Sequence, residues 1–206
     1  MGFWDRHVVP RIIACGCCQP EVMERRAKIV PRASGRVLEL GCGGGANFRY
    51  YDPARVTTLC GIDPSPELLE RARAQIPQNG IDFQIDPGVG EALPFADASF
   101  DTVVTTFTLC SVDDHAQSLA EARRVLKPEG RILFLEHGLS PDPGLQRWQH
   151  RIDPVWKRLM GNCHLSRPIT SAFRDAGFTV TESASGYMDR VPRFVGWLEW
   201  GEARTA

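Results

Sequence analysis

After residue 35, short β-prone apolar runs alternate with segments whose apolar residues recur every three or four positions, and Gly, Pro or Asp separates most of them. That alternation predicts parallel βαβ units. Arg36 to Leu40 reads as a first strand leading into a glycine loop and a helix, and Thr57 to Ile62 as a second, followed by a helix from Pro66 to Gln75. Ile81 to Ile85 is a third strand. Phe100 to Thr106 is apolar or threonine everywhere except Asp101, which suits a central strand covered on both faces. Ser111 with Asp114 resembles a capping box, Leu119, Ala122 and Leu126 share one helical face, and Lys127-Pro128-Glu129-Gly130 ends that helix. Arg131 to Glu136 then forms a fifth strand. A helix from Arg167 to Ala176, a strand from Phe178 to Glu182 and an aromatic β-prone run from Phe194 to Trp200 close the chain as a hairpin-like pair.

Two segments stand outside this alternation. Residues 1 to 35, with apolar spacing at Trp4, Val8 and Ile12, predict an N-terminal helical cap ahead of a domain spanning 36 to 206. Residues 139 to 166 predict a lid-like insertion. Within it Asp153-Pro154 reads as N-cap and first helical position and Gly161 as the stop, while Trp148, Ile152, Trp156 and Leu159 form a stripe expected to pack against the domain.

Composition narrows the class. The chain has 206 residues, 43% of them hydrophobic, with 24 basic against 25 acidic side chains. This length supports one core without disulfides or a structural metal, and a net charge of −1 gives no basic footprint for nucleic acid. No apolar run approaches the roughly 18 residues of a membrane span, and Met1 to Arg6 resembles neither a signal peptide nor a myristoylation site, so the cytoplasm is the expected compartment. Seven cysteines, an odd number scattered through strands, loops and a helix, read as reduced thiols. Cys15, Cys17 and Cys18 with Cys163 and His164 match no standard zinc spacing, and no metal site is expected.

The most informative segment is Glu39-Leu40-Gly41-Cys42-Gly43-Gly44-Gly45-Ala46-Asn47. A strand enters a loop nearly free of side chains, where backbone can approach a ligand. Gly41, Gly43 and Ala46 alone also satisfy a dinucleotide fingerprint. Asp63, 22 positions after Gly41 at the end of the second strand, can accept from ribose hydroxyls in either kind of cofactor. Glu39 separates the readings, because a carboxylate there suits the cationic amino-acid portion of a sulfonium cofactor and repels a pyrophosphate.

Glu39-x-Gly41-x-Gly43-x-Gly45, Gly61-Ile62-Asp63-Pro64-Ser65, Gly90-Glu91-Ala92-Leu93-Pro94-Phe95, Ser99-Phe100-Asp101 and Leu126-Lys127-Pro128-Glu129-Gly130 occur in this order. Together they resemble the class I S-adenosylmethionine-dependent methyltransferases. The resemblance implies a Rossmann-like α/β fold: a seven-stranded, mostly parallel sheet of order 3-2-1-4-5-7-6, its last strand antiparallel, with helices on both faces. It also implies S-adenosyl-L-methionine as cofactor. By the same resemblance Glu39, Gly41, Cys42, Gly43, Gly45 and Asn47 surround the methionine part, Asp63 and Pro64 the ribose, and Gly90, Glu91 and Ala92 the adenine edge. Ile62 and Leu93 would pack the ring, and Thr106 and Leu109 would border the sulfonium. Val89 stands where many relatives carry Asp.

A narrower resemblance lies in Thr108-Leu109-Cys110-Ser111-Val112, Phe134-Leu135-Glu136-His137, Trp148-Gln149, Asp153-Pro154-x-Trp156 and Gly161-Asn162-Cys163-x-Leu165-Ser166-Arg167. These are similar to the thiol S-methyltransferases of the methyltransferase-like-seven group, whose N-terminal membrane anchor the first residues here do not match. The implied reaction is methyl transfer to a small-molecule acceptor, a thiol in preference to a phospholipid amine or a quinone carbon.

Methyl transfer from a sulfonium is a single displacement, so alignment and exclusion of water dominate and a base is optional. His137, after the fifth strand, is the first candidate for a base, and Cys163 with His164 is a candidate reactive pair. Asp113 and Asp114 read as helix caps. Arg25, Arg26, Lys28, Arg32 and Arg36 read as a solvated basic face, with peripheral membrane contact through residues 1 to 35 as the alternative. An NAD-dependent oxidoreductase and a non-catalytic nucleotide-binding module are the readings from other classes.

Overall fold

The computed structural model describes residues 19–205. Trp4, Val8, Ile12, Cys15, Cys17 and Cys18 lie outside them. The first described helix is α1 (Pro20–Ile29), followed by a 3-10 turn at Val30–Arg32. The strands are β1 (Gly35–Leu40), β2 (Val56–Asp63), β3 (Asp82–Pro87), β4 (Phe100–Thr106), β5 (Leu126–His137), β6 (Phe178–Tyr187) and β7 (Trp197–Thr205). Between them lie α2 (Pro66–Ala74), α3 (His115–Val125), α4 (Pro143–Leu159) and α5 (Ile169–Asp175). One sheet runs in the order β3-β2-β1-β4-β5-β7-β6. Strands β1 to β5 pair in parallel, and β7 is antiparallel to both β5 and β6. The expected fold class is therefore the observed one.

Strand alternation splits the core into two layers. On β1, Leu38 and Leu40 join Leu119, Ala122, Ile169 and Phe173 from α3 and α5. Val37, one position out of phase, joins Ile29, Leu69 and Ala72 from α1 and α2 on the other face. Helices thus cover both faces. The order of strands across the sheet reverses between β1 and β4, so their C-terminal ends open a crevice at the switch point. Among the described residues no helix is long and apolar enough to cross a membrane.

Local signals moved several boundaries. The loop after β1 leads to a single 3-10 turn, Phe48–Tyr50, in place of the expected helix. Asp52 precedes Pro53, and the residue before a proline is pushed out of the helical region. Helix α3 is capped by Asp114, whose Oδ1 accepts from the N–H groups of Ala116 (2.9 Å) and Gln117 (3.0 Å); Ser111 takes no part in the cap. Helix α4 starts at Pro143, well before the expected Pro154. Asp142 caps it through Gly144 and Leu145, and Pro154 is carried inside. Asp153 is instead buried, accepting from Leu165 N–H at 2.6 Å. The expected packing of the α4 stripe is met in part: Ile152 and Trp156 are half-buried, Trp156 edge-on to Phe194 at 6.2 Å, whereas Trp148 is 58% and Leu159 44% exposed because Gln149 and Asp153 form the inward side.

Phe173 is fully buried, with its ring 4.6 Å from Phe134 and 5.8 Å from Phe178, and is the largest of the side chains, with Ile169 and Ala172, that hold α5 to the sheet. Phe173→Ala should cost about 3–5 kcal/mol in urea unfolding; a loss below about 1 kcal/mol would show that α5 does not depend on it.

Candidate functional site

The site begins where β1 ends. Gly41 has φ +62°, and a Cβ there would collide with the Thr108 side chain, whose hydroxyl donates to Leu40 O at 2.8 Å. Only glycine fits that close approach. At Gly43, φ +53°, an added Cβ would meet nothing nearer than Gly41 O at 4.0 Å, so the space over the loop is open. At the end of β2 Asp63 accepts from Gly43 N–H at 3.0 Å and from Ser65 N–H at 2.9 Å. Burial raises its pKa, and its carboxylate keeps further lone pairs beside the loop. Cys42 is buried with its thiol pushed up by desolvation, which keeps it protonated and unreactive.

Behind the loop lies a buried polar network. Glu39 is 1% exposed and accepts from Asn47 Nδ2 at 2.9 Å and from Tyr51 OH at 2.7 Å. Asn47 Nδ2 also donates to Thr106 Oγ1 at 3.0 Å. Arg26 of α1 reaches in from the other side and donates from one guanidinium nitrogen to Asn47 Oδ1 (2.6 Å) and Thr106 Oγ1 (2.7 Å). Desolvation pushes the Glu39 carboxyl up to about 7, against the opposing pull of Tyr51, Arg26 and Asn47. The Nε of Arg26 is buried without a partner, a donor aimed at nothing among the described residues.

Arg26 is the residue that sequence reading missed. The expected solvated basic face holds only in part: Lys28 and Arg36 are exposed, but Arg26 is 4% exposed, Arg25 lies over Trp200, and Arg32 pairs with Glu182 and Glu202. The available signal was helical phase, since Val22, Arg26 and Ile29 fall on one buried side of α1.

The remaining candidates sit around this centre. Gly90 is buried against Ser118, Glu91 accepts from Asp114 N–H at 3.1 Å, and Ala92 and Pro64 are exposed. Ile62, Leu93 and Leu109 are buried in the same core layer as Leu40. At the ends of β4 and β5, Cys163 Sγ lies 3.6 Å from His137 Nδ1, and His137 stacks edge-on against Phe107 at 4.9 Å. His164 does not join Cys163. Neighbouring residues point apart here, and its Nδ1 meets Asp153 Oδ2 at 3.0 Å, so the expected reactive pair is replaced by Cys163 with His137. Glu136 beside it is fully buried, bonded by Thr105 OH (2.6 Å), Thr108 N–H (3.1 Å) and Cys110 N–H (3.2 Å), which fixes the loop after β4.

A doubly wound sheet with a glycine loop at its switch point, an acidic residue ending β2 and a buried carboxylate on β1 defines a cofactor-binding α/β protein of the methyltransferase type. Known proteins agree with that class. A family described as "Methyltransferase domain" matches residues 38–134. The chain is 37% identical over 177 residues to the human thiol S-methyltransferase TMT1B, covering 82% of this chain and 69% of that protein. It is 36% identical over 122 residues to the ubiquinone/menaquinone biosynthesis C-methyltransferase UbiE of Dinoroseobacter shibae, covering 58% of this chain and 49% of that one. The solved S-adenosylmethionine-dependent methyltransferase of Mesorhizobium loti superposes with a TM-score of 0.68 at 20% identity, covering 91% of this chain and 98% of that one. The chain belongs to the S-adenosylmethionine-dependent methyltransferases, and S-adenosyl-L-methionine is its cofactor.

The Glu39 network makes a pH-dependent contribution whose sign is set by the raised folded-state pKa. The folded protein holds a proton on Glu39 that the unfolded chain has lost between about pH 4.5 and 7, so stability falls as pH rises through that window. Glu39→Gln should flatten the slope: the unfolding free energy of the parent should fall relative to the variant by up to about 3 kcal/mol between pH 4.5 and 7.5. Parallel curves would show that Glu39 ionises normally.

Proposed function

We propose that this methyltransferase acts on the thiol of a small molecule. The observation that carries the proposal is the composition of the acceptor end: His137 and Phe107 flank it, and the neighbouring carboxylate, Glu136, has its oxygens committed to three donors. A thiol, with a pKa near 8.5, needs the least help to reach its nucleophilic form, and one imidazole suffices, whereas an amine or alcohol needs a stronger base. The 37% identity to a thiol S-methyltransferase supports the same acceptor. The chain spans between 59% and 69% of the length of four thiol S-methyltransferases that it matches, so the acceptor is decided by assay.

The residues fit the cofactor. The unpartnered donor of Arg26 suits the carboxylate of its methionine part, with Glu39 and Asn47 behind and the backbone of Gly41, Gly43 and Gly45 beside it. Asp63 would accept from the ribose. Gly90, Glu91 and Ala92 would border the adenine, with Ile62 and Leu93 below it, and Thr106 and Leu109 would stand by the sulfonium. When bound, the cofactor supplies a methyl group on a positively charged sulfur. The chain's part is to orient the acceptor through Phe107, exclude water, and let His137 take up the thiol proton. The similarity to UbiE favours a second reading, methylation of a quinone carbon.

Incubation with labelled S-adenosylmethionine and a panel of thiols, phenols, amines and quinols should label the thiols fastest; labelling of quinols alone would replace the first reading by the second. His137→Ala should slow thiol turnover by about 100-fold or more while S-adenosylhomocysteine affinity stays unchanged. Asp63→Ala should weaken that affinity at least about tenfold by calorimetry. Normal affinity in the second variant would remove Asp63 from the cofactor site.

A further inference from the structure

We propose that Cys110, His137 and Cys163 form a zinc-binding site whose fourth position is open to a substrate thiol. The inference deepens the thiol reading above and rests on it for the substrate, but not for the metal. The three residues come from separate parts of the chain, the loop after β4, the end of β5 and the loop after α4, and converge at the C-terminal edge of the parallel strands. Their ligand atoms all lie within 4.8 Å of one another.

Two of the three edges match those of a metal polyhedron, and the third pair lies within 4.8 Å. With Zn–S near 2.3 Å and Zn–N near 2.05 Å, a tetrahedron has S···S edges of about 3.8 Å and S···N edges of about 3.5 Å. The Cys110–Cys163 sulfur separation is 3.9 Å and the Cys163 Sγ to His137 Nδ1 separation 3.6 Å. Two sulfurs at that distance are not bonded to each other, since a disulfide needs about 2.05 Å.

The surroundings hold the ligands in place before any ion arrives. His164 N–H donates to Cys110 O at 2.7 Å, and Asn162 Nδ2 donates to Ser111 O at 2.8 Å, so the two cysteine segments are tied together. Glu136 accepts from Cys110 N–H, and Arg167 donates to Leu109 O and, at 2.7 Å, to Val112 O, which pins the same loop from its other side. Such outer contacts are what orient metal ligands. The charges also balance, since two thiolates neutralise a divalent ion.

Three ligands and an open position mark a zinc site that takes a substrate, whereas structural sites close with four protein ligands. Among the described residues no fourth Cys, His, Asp or Glu joins the group. His164 is turned to Asp153, and Glu136 is occupied by its donors. His137 is half-buried, while Cys110 and Cys163 are buried. With zinc in place, His137 would serve as a ligand and not as the base, the metal would supply the Lewis acidity that lowers a thiol's pKa, and a thiol entering there would release its proton to solvent. Its sulfur then forms the bond to the methyl carbon as the bond from that carbon to the cofactor sulfur breaks, and the electron pair stays on the cofactor, which leaves as a neutral thioether.

The test uses the full chain, purified under reducing conditions and assayed for metal. About one zinc per chain is expected, and Cys110→Ser, Cys163→Ser and His137→Ala should each lower zinc affinity by on the order of 100-fold or more, while Cys60→Ser retains it. Should the cysteine variants fail to fold, the half-buried His137→Ala keeps the test open. Cobalt(II) in place of zinc should give a thiolate charge-transfer band that shifts when a small monothiol is added. A protein that takes up neither metal, or that shows a Cys110–Cys163 disulfide on peptide mapping, would overturn the site. The labelled-cofactor panel on the same samples separates the two readings: thiol methylation without bound zinc sinks the metal site alone, and bound zinc without thiol methylation sinks the thiol reading alone.

Discussion

A carboxylate buried at the middle of a parallel sheet is the constraint around which the other parts are arranged. Glu39 lies on β1, flanked in register by Gly61 of β2 and Val104 of β4, and is almost wholly removed from water. Burying a lone ionised carboxylate is expensive, so the chain must bring donors to it or leave it protonated. It does some of each. Asn47 and Tyr51 come from beyond the glycine loop, Arg26 comes from the helix before β1, and the carboxyl is still pushed up to about 7. Because Asn47 must return to β1 within eight residues, the intervening loop has to turn tightly, and Gly41, Gly43 and Gly45 at positive φ are the means.

That requirement links the N-terminal helix to the site. Arg26 has the same problem as Glu39, since it is a buried charge, and it is solved by the oxygen atoms of Asn47 and Thr106. The guanidinium is nonetheless incompletely satisfied, and an unpartnered buried donor is unfavourable unless something occupies it. A ligand carboxylate would complete the arrangement. Under the proposed cofactor placement the helix α1 would be part of the binding architecture as well as a cover for the sheet.

How much of this was legible from sequence depended on the range of the interaction. The central strands of the parallel core were readable because they are buried on both faces and stand out as apolar runs, β4 most clearly, whereas the edge strand β3 is mostly exposed. Gly41, Glu39 and Asp63 were readable because glycine at a strand end and acids at fixed offsets have few other uses. Boundaries set by competing local signals were not: Asp142-Pro143 and Asp153-Pro154 are equally good helix starts, and only Asp153's bonds to Leu165 and His164 decide between them. Arg26 was missed because five basic residues close together read as surface when its partners, Asn47 and Thr106, are 21 and 80 positions away. Cys110, His137 and Cys163 failed to register as a cluster for the same reason, with the sulfurs 53 positions apart.

The two ends of the crevice differ in what they decide. Its β1–β2 side is built from backbone and buried charge, features that a cofactor shared across a family demands, and it is similar in kind wherever such a fold holds that cofactor. The β4–β5 side is built from loop residues tied together by Glu136, Arg167 and Asn162, and loops on a rigid scaffold are where chemistry varies. Specificity for the acceptor therefore has to be sought in Phe107, Cys110, His137 and Cys163. None of these four carries a carboxylate, which argues against acceptors that need a strong base, and the convergence of sulfur and imidazole argues for a soft nucleophile.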